Sequence, residues 1–386
     1  MTELWNFGRS PLDCPQFSFV VHSKESRFAA IPKLRQTGAL QRDHMLPPLV
    51  FEPYFRPQVW GATRLQKLFG KPLPPSGRIG ESWEVSAHPL HVSRVAEGPF
   101  AGASLTQLWD LHRREFLGLR NTPETTGWPD RRRFPLLIKL LDCHERLSVQ
   151  VHPDDRTADE LLGEPNGKTE AWVVLHAEPG SRIYAGLKNG VCRGDLEQHL
   201  DRGNVADCLH SFEPQVGDGL LIEAGTVHAV GGGVLMAEVQ QTSDATFRLF
   251  DWNRICSDGR PRELHREQSL RSIHFENGPV TPIRLASCRC VSCHDEDLLL
   301  SCDYFSLSRV NLRTTTRSLD EEPLTLWLIT SGQAVLSNAT TGYERPFNAG
   351  ETVLIPAHSR GLGWSADQAT LLRVEPKPKP RSTHSR

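Results

Sequence analysis

Gln150 and His152 stand two apart in Leu147-Ser148-Val149-Gln150-Val151-His152, a run in which apolar and polar residues alternate. In an extended strand such residues leave the same face, so an amide and an imidazole are offered together beside Ser148, while Val149 and Val151 point the other way. Lys168 and Glu170 repeat the spacing in Gly167-Lys168-Thr169-Glu170-Ala171-Trp172, just ahead of an apolar strand that a charged pair would not normally enter. His228 follows the tight turn Glu223-Ala224-Gly225-Thr226-Val227, and Arg248 sits among aromatics in Thr246-Phe247-Arg248-Leu249-Phe250-Asp251-Trp252. Each has a bland alternative when taken singly: a satisfied core histidine, an ion pair at a strand edge, or an arginine paired with Asp251 or Asp244. Together, two histidines, a glutamate and a glutamine make a mixed nitrogen and oxygen shell that suits Zn2+ and would also accept Fe2+, Co2+ or Mn2+. Lys168 and Arg248 add fixed positive charge beside it, which suits a phosphorylated or enolate-like ligand.

The elements that must position these groups are short strands broken by Gly, Pro, Asn and Asp. Leu136–Leu141, Leu147–His152, Trp172–Leu175, Gly219–Ile222, Val234–Ala237 and Thr246–Phe250 read as strands. Helical pattern is confined to about Ser104–Leu117 and Gly194–Asp207, plus weaker pieces, so the expected fold is dominated by β-structure in a sandwich or barrel. A faint internal repeat aligns Gly217-Asp218-Gly219-Leu220-Leu221-Ile222-Glu223-Ala224 with Gly350-Glu351-Thr352-Val353-Leu354-Ile355-Pro356-Ala357. Its register sets His228 opposite Gly361, so one copy can hold a metal where the other cannot. The expected organisation is a poorly ordered extension over 1–44, a metal-binding unit over 45–275, a degenerate copy over 276–375 and a disordered Pro/Lys tail over 376–386. A chain begun at Met45 should keep full activity.

The 386 residues are 38% hydrophobic and 23% charged with a formal net charge of −2, ordinary for a soluble globular enzyme. Bulk charge therefore asks for neither nucleic acid nor an anionic membrane, and no apolar run approaches the ~20 residues of a membrane span. With no secretory signal pattern, the nine cysteines read as reduced thiols in a cytoplasmic protein. Cys288, Cys290, Cys293 and Cys302 with His294 depart from the paired spacing of a structural zinc site and read as strand thiols. His358 reads as a turn residue without metal.

Gln150-Val151-His152-Pro153, Lys168-Thr169-Glu170, Thr226-Val227-His228 and Arg248-Leu249-Phe250-Asp251-Trp252 closely resemble the motifs of the class I mannose-6-phosphate isomerases, of the shorter bacterial type. Gly80-Glu81-Ser82-Trp83-Glu84-Val85-Ser86 resembles that family's early motif, and the likeness runs from about Pro47 to Val374 in the family's order. The resemblance implies two cupin-like jelly-roll units with a few covering helices. It also implies His152, Glu170 and His228 as ligands of one Zn2+ or similar ion, Gln150 as a more replaceable fourth ligand, Arg248 as catalytic and Lys168 as substrate-binding. Two departures stand out: 1–44 has no place in the pattern, and Glu223 replaces a proline expected in the turn before His228.

The activity so implied interconverts mannose 6-phosphate and fructose 6-phosphate through an enediolate, in a monomer or homodimer. Spacing alone says only that the ligand is anionic and polyhydroxylated. A Lewis-acid metal lowers the barrier by several kcal/mol, a positioned cation by roughly 3–4 kcal/mol, and proton transfer contributes about 10²–10⁴-fold. Glu238, Asp244, Lys168 and a metal-bound hydroxide all remain candidates for the base. A non-haem Fe(II) cupin oxygenase shares the two-His, one-carboxylate set, but nothing points to an oxidisable substrate. A non-catalytic sugar-binding cupin would be favoured by loss of a ligand or of Arg248, and all are present.

Overall fold

Alternating runs become strands whose two faces meet different surroundings. The computed structural model describes residues 46–75, 77–118, 133–256, 259–285, 295–357 and 359–378. It begins with β1 (Tyr54–Ala62), β2 (Ile79–Val85) and a small hairpin of β3 (Ala87–His88) and β4 (His91–Val92). Next come β5 (Leu136–Cys143), β6 (Val149–Val151), β7 (Glu170–Ala177), β8 (Ile183–Leu187) and β9 (Leu209–Phe212). Then follow β10 (Gly219–Ile222), β11 (His228–Val230), β12 (Val234–Gln241) and β13 (Phe247–Phe250). These build two antiparallel sheets, β1-β2-β5-β12-β7-β10 and β13-β6-β11-β8-β9. A third comprises β14 (Asp295–Ser301), β15 (Phe305–Ser318), β16 (Thr325–Asn338), β17 (Tyr343–Asn348), β18 (Thr352–Ile355) and β19 (Leu362–Pro376). The fold is all-β and cupin-like, two jelly-roll units with a few covering helices, as expected.

The first two sheets face each other. Leu141, Trp172, Val174 and Met236 of one interdigitate with Ile183, Ala185 and Val230 of the other. Val149 and Val151 turn outward, as their alternation requires, and pack under helices Arg193–Arg202 and Arg266–Ser272 through Leu196 and Leu270. The outer face of the first sheet, including Ile138, Leu140, Val173 and Ala237, shares one core with Leu105, Leu108 and Phe116 and with Leu307, Leu326 and Leu354 of the third sheet. The two sheet systems are thus joined by continuous apolar packing, each fully buried leucine contributing about 1.5–3 kcal/mol. The first expected helical stretch forms Leu105–Leu111 and Arg113–Leu117, started by a capping box of Ser104 with Gln107. The second forms Arg193–Arg202 and the 3-10 turn Val205–Cys208.

The internal repeat recurs as one turn built twice. Gly217 and Gly350 have φ of 90° and 89°, a backbone region that side chains disfavour. Gly217 N donates to Val174 O at 2.8 Å and Val174 N to Asp218 O at 3.0 Å. Gly350 N donates to Ile329 O at 2.8 Å and Ile329 N to Glu351 O at 3.0 Å. The acidic side chain closes each turn, Asp218 accepting from Gln215 N and Glu351 from Asn348 N. Beyond the turns the copies differ. Where the first has His228, the second has Gly361 at φ 71°, and Trp327, Phe347, Trp364 and Leu371 fill its interior.

Strand β19 outlasts the expected start of the tail. It runs through Pro376, and Lys377 N donates to Tyr304 O at 2.8 Å. The extension over 1–44, the tail beyond Pro378, Cys288, Cys290, Cys293, His294 and His358 lie outside the described residues. No helix among the described residues is long and apolar enough to cross a membrane.

Candidate metal centre

Three strand ends converge on one buried point. His152 directly follows β6, Glu170 opens β7 and His228 opens β11. One ligand atom from each lies within 4.8 Å of the others, and among the described residues no other trio of His, Cys, Asp or Glu is so grouped. His152 Nε2 is 3.4 Å from Glu170 Oε2, and His228 Nε2 is 3.5 Å from Glu170 Oε1. The two Nδ1–H groups turn away, donating to Ala245 O at 2.8 Å and Thr226 O at 2.9 Å. That fixes both tautomers and leaves both Nε2 lone pairs on the cluster, the arrangement of metal-ligating histidines.

The electrostatics agree. Burial drives His228 down to about 3, with His152 adding to the fall. Burial, then Lys168, lowers His152 as well. Burial alone would raise the Glu170 carboxyl, but Lys168 and the two imidazoles outweigh it and hold it well below the usual carboxylate range. Two neutral imidazoles and an ionised carboxylate are the protonation states that a metal requires. Among the described residues, Glu170 Oε1 is buried without a hydrogen-bond donor, a deficit that a cation would satisfy. The residues present fit a divalent ion.

Gln150 and Lys168 border this cluster directly. Gln150 Nε2 is 3.2 Å from His228 Nε2, and a half-turn of the amide would present Oε1 at the same place. Lys168 Nζ is 3.0 Å from His152 Nε2 and contacts Glu170 Oε2, so it stands within the ligand set rather than beside it. Arg248 pairs across the sheet with Gln150, which pairs in turn with His228. Directly paired residues share a face, so these three form one row. Arg248 Nη1 donates to Glu263 O at 2.7 Å, and its Nε is buried without a partner among the described residues. The ion pairs proposed as its ordinary role are absent among the described residues. Asp251 is held by Arg262 at 2.8 and 2.6 Å, and Asp244 by Arg56 at 3.2 and 3.0 Å.

Sequence reasoning named Glu238 as a candidate base but did not foresee the interior row to which it belongs. Trp83, Lys139, Glu238 and Trp172 form a row across β2, β5, β12 and β7. Lys139 Nζ lies 3.1 Å from Glu238, 3.8 Å from Glu81 and 5.1 Å from the Trp83 ring centroid. Burial opposes its charge, but Glu238 and Glu81 outweigh burial and raise its pKa. Trp172 Nε1 donates to Glu238 at 3.2 Å while its ring lies 5.4 Å from that of His228, so the row abuts the cluster. Lys139 carried a signal, as the only charge within Leu136–Leu141. The Gly80–Ser86 motif is two-faced. Its Glu81 and Trp83 point into the barrel, while Ser82 and buried Lys71 both bond Glu84 on the other side. A cavity of ≈ 440 Å³ is lined by Glu145, Arg146, Gly232, Trp252 and Arg254. Arg254 Nη1 is buried there without a partner among the described residues.

A family model for the catalytic domain of phosphomannose isomerase type I matches residues 49–170. The mannose-6-phosphate isomerase ManA of Bacillus subtilis is 34% identical over 322 residues, covering 82% of this chain and 94% of that one. The mannose-6-phosphate isomerase of Streptococcus mutans is 32% identical over 325 residues, covering 84% and 96%. The crystal structure of the mannose 6-phosphate isomerase from Bacillus subtilis superposes with a TM-score of 0.73 at 28% identity, over 85% of this chain and 99% of that one.

Proposed function

The chain belongs to the type I phosphomannose isomerases, and on that premise we propose how its residues carry out the interconversion of mannose 6-phosphate and fructose 6-phosphate. His152, Glu170 and His228 hold one divalent ion, with Gln150 as the fourth and weaker ligand. Zn2+ suits this donor set best. When bound, the ion supplies Lewis-acid polarisation of the sugar's carbonyl and hydroxyl oxygens. The observation that carries the reading is the pair of Nδ1-anchored imidazoles facing a buried carboxylate whose Oε1 has no hydrogen-bond donor among the described residues.

The reaction moves a proton between adjacent carbons, and the obstacle is charge building on oxygen. Arg248, in the row with Gln150 and His228 and free of any carboxylate among the described residues, directs a guanidinium at that charge. Lys168 is a second cation, for the substrate's oxygens. Of the side chains considered for the proton transfer, Asp244 is engaged by Arg56, whereas Lys168 and Glu238 both border the cluster. We assign 45–275 to the metal-binding unit and 276–375 to the metal-free copy, and place the enzyme in the cytoplasm.

Single substitutions His152→Ala, Glu170→Ala and His228→Ala test the ligand set by metal content. Each should lose bound ion and turnover together, with Gln150→Ala milder. Stoichiometric metal in folded His228→Ala would refute the assignment.

A further inference from the structure

The segments that present His152, Glu170 and His228 are tied to one another by bonds that use none of the cluster's ligand atoms. The His228 segment meets the His152 segment where Gly225 N donates to His152 O at 2.8 Å. The His152 and Glu170 segments meet twice, through Lys168 N to Pro153 O at 3.0 Å and Gly167 N to Asp155 Oδ1 at 2.7 Å. The triangle closes where Ala224 N donates to the Thr169 hydroxyl at 3.2 Å. Gln241, at the end of β12, stiffens it from outside. Its Oε1 accepts from Thr169 N at 2.9 Å and its Nε2 donates to Asp155 Oδ1 at 2.9 Å. Its own backbone N donates to Thr169 O at 3.2 Å.

Thr169 and Gln241 are both buried. Gly167 shows how close the segments run, because a Cβ there would fall 2.4–2.6 Å from the backbone of Pro153–Asp155. Buried donors with defined partners cannot be re-satisfied by water when a partner is removed, so each bond constrains where its ligand stands.

We propose that Thr169 and Gln241 are positioning residues, which hold the three ligands at metal-binding spacing before any ion arrives. This deepens the reading of His152, Glu170 and His228 as the metal site and rests on it. Thr169 links the Glu170 and His228 segments through its hydroxyl, and Gln241 joins that link to the Asp155 carboxylate behind His152. Preorganisation of this kind acts on how long an ion is retained, because ligands that cannot drift apart do not release it one at a time.

The test compares Thr169→Val, Thr169→Ser and Gln241→Met with wild type. Each protein is loaded with Zn2+ and mixed with excess EDTA, and the metal remaining is measured over time. Thr169→Val and Gln241→Met should lose the ion about 10-fold faster, the scale at which outer partners act on metal sites. Thr169→Ser, which keeps the hydroxyl, should stay near wild type. The two faster variants should also show lower kcat at similar KM for mannose 6-phosphate, with apo melting temperatures close to wild type. Wild-type release from both variants overturns the proposal, as does a fall in apo melting temperature with release unchanged. If Thr169→Val does not fold, Gln241→Met decides alone. If wild type itself takes up no Zn2+, the ligand reading fails, and the proposal with it.

Discussion

Arg248→Ala should leave folding and metal content intact while kcat falls by about 10²–10³. Neighbouring strands lie roughly 4.8 Å apart, so the Arg248 Cα is about 9–10 Å from that of His228, a gap that an extended arginine can largely bridge. At an effective dielectric of about 20, a guanidinium roughly 5 Å from the developing negative charge contributes about 3 kcal/mol. That is just over two decades in rate at about 1.4 kcal/mol per decade. Little structural loss is expected, because among the described residues the side-chain bond given up goes to the Glu263 carbonyl. Arg248→Lys should recover only part of the rate, since an ammonium lacks the guanidinium's planar fork. Steady-state kinetics with metal analysis on the same samples separates the outcomes. A rise in KM at unchanged kcat would mean that Arg248 only binds the phosphate. A wild-type kcat in folded, metal-loaded Arg248→Ala protein would refute the reasoning.

Two further outcomes follow from particular contacts. Lys139→Met strands Glu238 in the interior without its cation, while Glu81 keeps Arg56 at 3.6 Å, so denaturant unfolding should show a loss of about 3–5 kcal/mol; a Lys139→Met, Glu238→Gln double variant should recover part of it. Burial would raise the Asp244 carboxyl, but Lys139 and Arg56 hold it below the ordinary range. A depressed acid stabilises above its unfolded pKa of about 3.9 and loses that contribution as pH falls. The melting-temperature gap between wild type and Asp244→Asn should therefore be full at neutral pH and close below about pH 4; a gap constant with pH would contradict this.

The strands, and the inward faces that carry the candidate ligands, were legible because they rest on local spacing. Leu147–His152 alternates strictly enough to send Gln150 and His152 inward and Val149 and Val151 outward, and the fold keeps that division. Pairings across long sequence gaps were not legible. Nothing near Asp251 announces that Arg262 rather than Arg248 will take it, and Arg56 reaches Asp244 across 188 residues. Lys139 reads as an anomaly in an apolar run until the sheet order sets β5 between β2 and β12, where Glu81 and Glu238 wait. Thr169 carries no signal of its role within its motif, because its hydroxyl acts on a backbone N–H 55 residues away.

The central claim is that turnover depends on one ion held by His152, Glu170 and His228. The direct measurement follows conversion of mannose 6-phosphate by chelator-stripped enzyme during titration with Zn2+, and in parallel with Co2+, Mn2+ and Fe2+. Stripped enzyme should be inactive, and activity should return and saturate at one ion per chain, with His228→Ala showing no return. Full turnover by protein shown to be metal-free would contradict the account.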